Sequence, residues 1–289
     1  MGQIKLVLTN EQLEVAKSKY KETTSLAKTS KFIGISATSL YKIFKENKIE
    51  TPKQINNGEK IRKYALDHNY FENIDTRDKA YITGLLHADG FINLKSRQTR
   101  LKLTDLDLVK EVSSKIFKDR KLYLDSSSTK NGHKANLSLV ITSQKIMNDC
   151  IKHGCVHQKT YNLEFPTTIP DELMCDYFRG FFDGDGCIYV NEGFSYRPGT
   201  MKIVATKKWV DKAKEFLHNK GIKSTIYGDK RHDNRVSDIS VITTDDLVRF
   251  YNYLYKDIEN QIYLKRKYLK YTDWVDFKKS ANYERYNNL

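Results

Sequence analysis

Hydrophobic and polar positions recur along the chain with two different periods, and these periods predict two kinds of unit. Between Ser30 and Lys48, apolar residues recur at helical spacing on either side of Gly34-Ile35-Ser36, which predicts a helix, a turn and a second helix. From about residue 78 onward, helical runs alternate with short strand-like runs. We therefore expect an α+β protein with a small helical module at its N-terminus.

The larger part of the chain contains an internal repeat. Gly84-Leu85-Leu86-His87-Ala88-Asp89-Gly90 returns 96 positions later as Gly180-Phe181-Phe182-Asp183-Gly184-Asp185-Gly186. Leu101-Lys102-Leu103 likewise parallels Met201-Lys202-Ile203, and Val140-Ile141-Thr142 parallels Val241-Ile242-Thr243. Each copy predicts a helix, two strands, a helix, two strands and a helix. The predicted boundaries are 1–53 for the helical module, 54–77 for a linker, 78–170 for the first repeat and 171–289 for the second.

The repeated motif carries a stripe of small residues on each predicted helix. Residues four apart share a helix face, so Ala80, Gly84 and Ala88 form one stripe, and Gly180 and Gly184 form the other. Small residues let two helix backbones approach closely. Packing of the two stripes would bring the aspartates that end the helices, Asp89 and Asp185, side by side. Gly90 and Gly186 follow at the position where helices often end in a left-handed residue.

Two carboxylates at the negative ends of two helices repel each other, and divalent cations relieve that repulsion. Hard oxygen ligands favour Mg²⁺, with Mn²⁺ able to substitute, and such ions activate water for phosphodiester hydrolysis. An EF-hand loop is disfavoured because Phe181 would occupy its first ligand position. A glycine-rich phosphate loop is disfavoured because neither motif carries the Lys-Ser/Thr pair.

Charge and composition narrow the choice of partner. The 289 residues carry a formal net charge of +14 at pH 7, with Lys and Arg spread along the whole chain. This distribution favours a polyanionic partner, although a merely solvated basic surface is the simpler alternative. No long apolar run or signal peptide is present, so we expect a cytosolic protein. Four cysteines without zinc-finger spacing are expected to be reduced and mostly buried.

The N-terminal module has the pattern of a helix-turn-helix. Ser36 is the expected cap of the second helix, whose residues Ser39, Tyr41, Lys42 and Lys45 would face outward to DNA. A plain helical hairpin gives a similar spacing and remains the alternative.

The segments TGLLHADG and RGFFDGDG resemble the two signature helices of a single-chain LAGLIDADG homing endonuclease, with similarity over roughly residues 70–272. The resemblance implies tandem αββαββα units whose saddle-shaped antiparallel sheets cover the DNA major groove. It assigns metal coordination to Asp89 and Asp185, helped by the backbone carbonyls of Ala88 and Gly184. His87 departs from the usual first aspartate of the motif, a variable position, and Gly184 replaces the usual alanine, which eases close packing.

The resemblance also implies further site residues. Basic residues steady the phosphate in this family, and the candidates here are Lys159 in the first repeat and Lys265 or Lys267 in the second. Asp105 and Thr206 are candidates for ordering water, although a solvated surface role is equally open for all of these residues. On the strands, the candidate DNA-binding residues are Lys95, Arg97, Arg100, Lys102, Lys130, Lys134, Arg197, Lys202, Lys230, Arg231 and Arg235.

The function implied is that of a site-specific, monomeric double-strand DNA endonuclease, intron-encoded and acting on a long, nearly asymmetric site. It would work in a bacterial or phage-infected cell or in an organelle genome compartment. Two alternatives stay open. One is a non-cutting DNA-binding regulator, since a bacterial transcription-factor family joins LAGLIDADG-like domains to a helix-turn-helix but has lost the acids. The other is an RNA-splicing maturase that binds intron RNA.

Overall fold

The computed structural model describes residues 8–23, 25–49, 51, 65–117, 124–125, 136–228 and 235–281, with backbone alone for 124–125 and 136–137. Contacts within the chain separate it into two units, residues 1–62 and 63–289. Each unit has its own hydrophobic core.

The described residues of the N-terminal unit form three helices. They are α1 (Asn10–Thr23), α2 (Leu26–Ile33) and α3 (Ala37–Glu46). Ser36 caps α3 by accepting a hydrogen bond from the Ser39 amide, as its position in the sequence predicted. Gly34 ends α2 with φ +80°, a conformation that glycine adopts without steric cost. Tyr41, Lys42 and Lys45 are exposed and Ser39 is half-buried, and the DNA-binding role of this module stays a prediction.

The second unit contains the two predicted repeats. The elements of the first are α4 (Arg77–Asp89), β1 (Gly90–Asn93), β2 (Gln98–Leu103), α5 (Leu106–Ile116), β3 (Leu124–Asp125), β4 (Asn136–Thr142) and α6 (Gln144–Lys152). A short helix, α7 (Lys159–Asn162), leads to the second repeat. Its elements are α8 (Met174–Asp185), β5 (Gly186–Val190), β6 (Gly199–Thr206), α9 (Lys207–Asn219), β7 (Thr225–Gly228), β8 (Val236–Val241), α10 (Thr244–Tyr255) and α11 (Lys265–Ala281). The predicted α+β fold with tandem repeats is confirmed.

Each repeat forms a four-stranded antiparallel sheet, and the two sheets have the same strand order. The orders are β1-β2-β4-β3 and β5-β6-β8-β7. Side chains of successive strand residues point to opposite faces, so Leu101 and Leu103 are buried while Lys102 between them is exposed. Met201, Lys202 and Ile203 repeat that pattern on β6. One face of each sheet therefore packs on the helices and the other is free to meet a partner.

The two motif helices, α4 and α8, pack against each other in the centre of the unit. Their burial extends all round the helix, since every residue from 80 to 88 on α4 is buried. Contact is closest at two glycines. A Cβ added at Gly84 would lie 2.1 Å from the carbonyl oxygen of Tyr177, and one added at Gly180 would lie 2.0 Å from that of Tyr81. Direct backbone contact between the helices is thus possible only where no side chain intervenes.

Gly184 lies in the same contact between α4 and α8, and the space there is smaller than the sequence suggested. An alanine there would place its Cβ 2.3 Å from the Cβ of Ala88, well inside van der Waals contact. Since Ala88 already supplies a methyl group at this level, the facing position has room for none. Glycine at position 184 is therefore required by its neighbour, beyond easing the packing.

The expectation of left-handed glycines after the motif helices was wrong. Gly90 has φ −73° and ψ 158°, and Gly186 has φ −86° and ψ 159°, so both are extended and begin strands β1 and β5. Space is the reason for glycine at both positions. A Cβ at Gly90 would lie 2.2 Å from the Leu86 carbonyl oxygen, and one at Gly186 would lie 2.2 Å from the ring of Phe182. The chain therefore turns directly from each aspartate into a sheet.

Two further features bear on the protein's surroundings. All four cysteines are free thiols: Cys150 and Cys155 are buried, Cys175 is half-buried and Cys187 is exposed. The expectation of mostly buried thiols thus holds for two of the four. Within the described ranges, no helix combines the length and the apolar character needed to cross a membrane.

Substitution of the contact glycines tests the helix packing. Gly84→Ala and Gly180→Ala should each lower the free energy of unfolding by about 1–3 kcal/mol or more, because the added methyl groups meet rigid backbone atoms. Gly193→Ala is the control, since its Cβ would meet only a side-chain oxygen of Asn191 at 3.2 Å. Urea unfolding gives the three values. Equal stability of all three variants would contradict the packing described.

Candidate active site at the repeat junction

Asp89 and Asp185 lie together where the motif helices end. Each is the last residue of its helix, so the close packing of α4 and α8 carries the two carboxylates to one place. The Asp89 carboxylate reaches the partner helix, since its Oδ2 lies 3.0 Å from the point that a Gly184 Cβ would occupy. The sequence-based expectation that the small-residue stripes would bring the acids to the junction thus matches the geometry.

The electrostatics of the pair are unfavourable for two negative charges. Burial raises the pKa of Asp89, and neighbouring Lys159 and Lys267 oppose that rise. Partial desolvation raises the pKa of Asp185 to about 6 although its side chain reaches solvent, with Lys159 lowering the pKa and Asp89 raising it further. Among the described residues, neither carboxylate accepts a hydrogen bond or forms an ion pair within 4 Å. The carboxylate oxygens of both acids are thus available to bind a ligand.

Lys159 supplies an unpaired positive charge next to these acids. It begins the short helix α7, and its Nζ is buried without a hydrogen-bond partner in the described part of the chain. Burial lowers its pKa, while Asp185 and Asp89 raise it. A buried ammonium without an acceptor costs free energy, so this group is suited to receiving an oxygen ligand from outside the protein.

Lys267, the second candidate lysine, has a different environment. Its Nζ donates to the carbonyl oxygens of Phe182 at 2.7 Å and Asp183 at 2.8 Å, and also to that of Gly186. A longer contact of 3.3 Å reaches the Gly184 carbonyl. The last carbonyls of a helix lack partners within the helix, so this amine caps the C-terminal end of α8, where Asp185 is the last residue. Lys265 is exposed at the start of α11, and the structure does not bring it to the acids.

The two candidates for ordering water are committed to other partners. Asp105 precedes α5 and forms an ion pair with Arg266, whose Nε lies 3.1 Å from Oδ1. Thr206 caps α9, and its hydroxyl donates to the Leu163 carbonyl. Thr206 borders the same cleft as Asp185 and Lys159. Its position is therefore near the acids, whereas its hydroxyl is already used.

The candidate DNA-binding residues fall into three groups. Lys95, Arg97, Lys102, Lys202 and Arg235 are exposed, and Arg100 and Arg197 are half-buried. Several have partners already: Arg100 donates to Gln98, Lys202 pairs with Asp238 at 3.0 Å, and Arg197 contacts Asp273 at 3.5 Å. Lys130, Lys134, Lys230 and Arg231 lie outside the described residues.

Sequence reasoning missed two tyrosines that connect the motif helices. Tyr81 on α4 donates to Asp183 at 2.7 Å, and the Tyr177 hydroxyl on α8 lies 3.0 Å from His87 Nδ1. A usable signal was present, because Tyr81 and Tyr177 stand 96 positions apart, as Asp89 and Asp185 do. Repeat alignment alone did not reveal which side chain each tyrosine would meet.

The side chains at the junction fit a divalent cation whose coordination shell is completed by a bound nucleic acid and by water. The described residues include no group of three or more His, Cys, Asp or Glu side chains placed to share a metal ion. Two free carboxylates suit Mg²⁺ nonetheless, since this ion usually binds one or two carboxylates and completes its shell with water and phosphate oxygens. The unpaired Lys159 ammonium fits a phosphate oxygen at the same place.

Removing one acid should stabilise the metal-free protein at high pH. The folded-state pKa of Asp185, about 6, lies above its ordinary value of 3.8, so proton-linked stability is present below pH 4 and lost as pH rises through 6. Asp185→Asn should therefore raise the free energy of unfolding at pH 8 by about 1 kcal/mol, a value reduced by solvent screening, with the gain shrinking toward pH 4. Urea unfolding in EDTA measures it, with Asp107→Asn, a fully exposed carboxylate, as the control. A gain independent of pH would contradict the assignment.

A family model and a curated relative match parts of the sequence. The model described as a LAGLIDADG-like domain matches residues 172–255. An uncharacterized protein of Methanocaldococcus jannaschii, MJ0314, is 25% identical over 160 residues, which are 53% of this chain and 58% of that protein. The match thus spans less than two thirds of the relative's length.

Solved structures similar to this chain include homing endonucleases and a DUF199/WhiA protein. The homing endonuclease I-GzeII in complex with its DNA target has a TM-score of 0.49 and 15% identity, covering 71% of this chain and 91% of that one. Meganuclease I-SmaMI bound to uncleaveable DNA has a TM-score of 0.47 and 14% identity, with the same coverage. Full-length DUF199/WhiA from Thermatoga maritima has a TM-score of 0.44 and 12% identity, covering 73% of this chain and 66% of that one.

The region of the family match coincides with the elements that build half of the acid pair. It begins just before α8, contains Asp185 and the whole second sheet, and ends with the last residue of α10. The first repeat has the same order of elements and the same strand order. Residues 172–255 are therefore similar to a LAGLIDADG-like domain, in agreement with the resemblance of the second motif.

Proposed function

We propose that this protein is a metal-dependent, site-specific endonuclease that cuts both strands of duplex DNA. The observation that carries the proposal is the pair of free carboxylates, Asp89 and Asp185, at the junction of two similar repeats. Each repeat contributes one acid and one sheet. A chain built in this way can offer one acid and one DNA-facing surface to each strand.

The acids are proposed to bind Mg²⁺, or Mn²⁺ in its place, with help from the backbone carbonyls of Ala88 and Gly184. When bound, such a cation activates water and neutralises the charge that develops on the leaving oxygen. Asp89 and Asp185 hold it at the ends of α4 and α8. Because the helix C-termini are also negative, a divalent positive charge relieves the repulsion there.

The two lysines are proposed to serve different purposes. Lys159 has a buried ammonium without a hydrogen-bond partner among the described residues, so a phosphate oxygen would satisfy it and its charge would offset that of the scissile group. Lys267 is held by the carbonyls that end α8 and keeps Asp185 in place. Lys159 is thus assigned to the substrate and Lys267 to the scaffold.

The free faces of the two sheets are proposed to recognise DNA. On β2, Arg100 and Lys102 point to this face, and on β6 Lys202 does so beside Tyr227, with its Nζ 5.7 Å from the ring centroid. Because the two sheets present different side chains, a single chain would recognise a nearly asymmetric site. The net charge of +14 favours binding to the phosphate backbone.

Cleavage selection from a randomised duplex library tests the proposal and identifies the site in one experiment. The protein should cut a limited set of sequences, in Mg²⁺ and not in EDTA. A protein that selects DNA without cutting it would be the regulator considered from the sequence. One that selects no DNA but binds structured intron RNA would be the maturase.

Conservative substitution of each acid then tests its role. Asp89→Asn and Asp185→Asn should each keep DNA binding and abolish double-strand cleavage, because the amide is a poorer ligand for a divalent cation. Nicking of one strand is compatible with one intact acid. Asp107→Asn, at an exposed position on α5, should cut as the parent does. Parental rates of double-strand cleavage in both acid variants would refute the catalytic assignment.

The N-terminal unit is proposed to extend the recognised site. Deletion of residues 1–53 should weaken DNA affinity about tenfold or more, because it removes the contacts proposed for Ser39, Tyr41, Lys42 and Lys45. The remaining chain should still cut, since both acids are retained. Gel-shift titration compares the two proteins on the selected site. Unchanged affinity would leave the N-terminal helices without a role in DNA binding.

A further inference from the structure

Two tyrosine hydroxyls cross the junction between the motif helices in opposite directions. Tyr81 of α4 donates to Asp183 Oδ2 of α8 at 2.7 Å, and Tyr177 of α8 meets His87 Nδ1 of α4 at 3.0 Å. Tyr81 and Tyr177 occupy equivalent positions of the repeat, as do His87 and Asp183. The two contacts are therefore one contact repeated by the internal symmetry of the chain, with a carboxylate as acceptor in one copy and an imidazole in the other.

The surrounding hydrogen bonds define which atom carries each proton at His87. The His153 carbonyl can only accept, so His87 Nε2, 3.1 Å away, carries a proton. Trp209 Nε1 donates to the Tyr177 oxygen at 2.9 Å, which leaves the hydroxyl proton to point at His87 Nδ1. Tyr177 is thus the donor to the His87 imidazole, just as Tyr81 is the donor to the Asp183 carboxylate. Both crossing contacts run from tyrosine to the partner helix.

These side chains are placed to act on the relative position of the helices. Both tyrosines are fully buried, and burial raises the pKa of each, so their hydroxyls keep their protons. Asp183 Oδ2 also accepts from the backbone amide of Leu264 at 2.7 Å, which anchors the acceptor. Because Asp183 is held in this way, its side chain cannot move freely with Tyr81. A displacement of α4 relative to α8 would therefore strain the hydrogen bond between them.

The direction of the two contacts matters for the metal site. Each tyrosine lies level with a glycine of the partner helix, and each acceptor lies two residues before an acid. Sliding of α4 along α8 would lengthen one crossing contact and shorten the other, so the pair opposes movement in both directions. The glycines allow the helices to touch, whereas they provide no polar contact that would resist such sliding.

We infer that Tyr81 and Tyr177, with their acceptors Asp183 and His87, are positioning residues that hold Asp89 and Asp185 in register. The inference rests on the proposed function in one respect only, that the acids bind a divalent cation. It gives a purpose to the motif position at which His87 departs from the family pattern. Histidine retains the hydrogen-bond acceptor that the opposite tyrosine requires.

Removing single hydroxyls tests the inference with a matched control. Tyr81→Phe removes one crossing contact without opening a cavity. Tyr177→Phe removes the other and also takes the acceptor from Trp209 Nε1. Tyr271→Phe is the control, because Tyr271 is equally buried and donates to the Leu247 carbonyl at 2.7 Å within the second repeat. Tyr81→Phe and Tyr271→Phe should lose similar stability in urea, and Tyr177→Phe should lose more, because the buried Trp209 Nε1–H is left without an acceptor. Only the two crossing variants should bind Mn²⁺ more weakly, by roughly three- to tenfold, since each loses a hydrogen bond that places the acids.

Mn²⁺ binding to the full chain is measured by the electron paramagnetic resonance signal of the free ion, and the Mg²⁺ concentration for half-maximal cleavage is measured alongside it. Crossing variants that match Tyr271→Phe in both would overturn the inference while the parent still cuts. A parent that binds Mn²⁺ without cutting, and loses affinity in the crossing variants, would refute the nuclease and support the positioning role. A parent that does neither would overturn both.

A second pair of variants isolates the acceptor from its charge. Asp183→Asn and Asp183→Leu both remove the carboxylate charge, but the asparagine oxygen still accepts from Tyr81 and from the Leu264 amide. We expect Asp183→Asn to stay within about twofold of the parent in Mn²⁺ affinity and Asp183→Leu to fall with the crossing variants. Equal loss in both would assign the effect to charge and would contradict positioning by the hydrogen bond.

Discussion

Backbone contact between two helices is the constraint on which the rest of this structure depends. Gly84 and Gly180 each face a carbonyl group of the other helix at a distance that excludes even a methyl group. Because α4 and α8 touch there, both helices are buried all round, and their carboxyl ends emerge together at the base of two sheets. Gly90 and Gly186 then let each chain enter a strand at once. A site shared by the two repeats is the direct result of this packing.

The same contact creates the charge arrangement from which a function can be inferred. It places Asp89 and Asp185 where partial desolvation and mutual repulsion raise the pKa of Asp185 to about 6, which is unfavourable for the metal-free protein. Lys267 is held by the carbonyls that end α8, whereas the buried Nζ of Lys159 has no hydrogen-bond partner among the described residues. The charges of the two acids and of Lys159 are thus not balanced by hydrogen bonds or ion pairs among the described residues. A divalent cation at the acids and a phosphate at the lysine would balance them.

How much could be read from the sequence depended on whether a residue was repeated. Asp89 and Asp185 were identified because two copies of one motif, 96 positions apart, leave little freedom in their assignment. The sequence did not show which of Lys265 and Lys267 lies near the acids. Residues two apart on a helix point about half a turn away from each other, so the answer depends on how α11 packs. The conformation of Gly90 was predicted wrongly because the sequence does not distinguish a glycine required by lack of space from one required by a left-handed turn. The partners of Tyr81 and Tyr177 depend on the tertiary packing of distant segments.

We propose that the contact between the motif helices builds a site for divalent cations between the two repeats. A crystal of the protein grown with Mn²⁺ and its selected DNA site, with data collected at the manganese absorption edge, would show whether the ions bind there. We expect anomalous difference peaks within coordination distance of Asp89 and Asp185, with phosphate oxygens completing the shell. Bound DNA with no such peak at either carboxylate would contradict it.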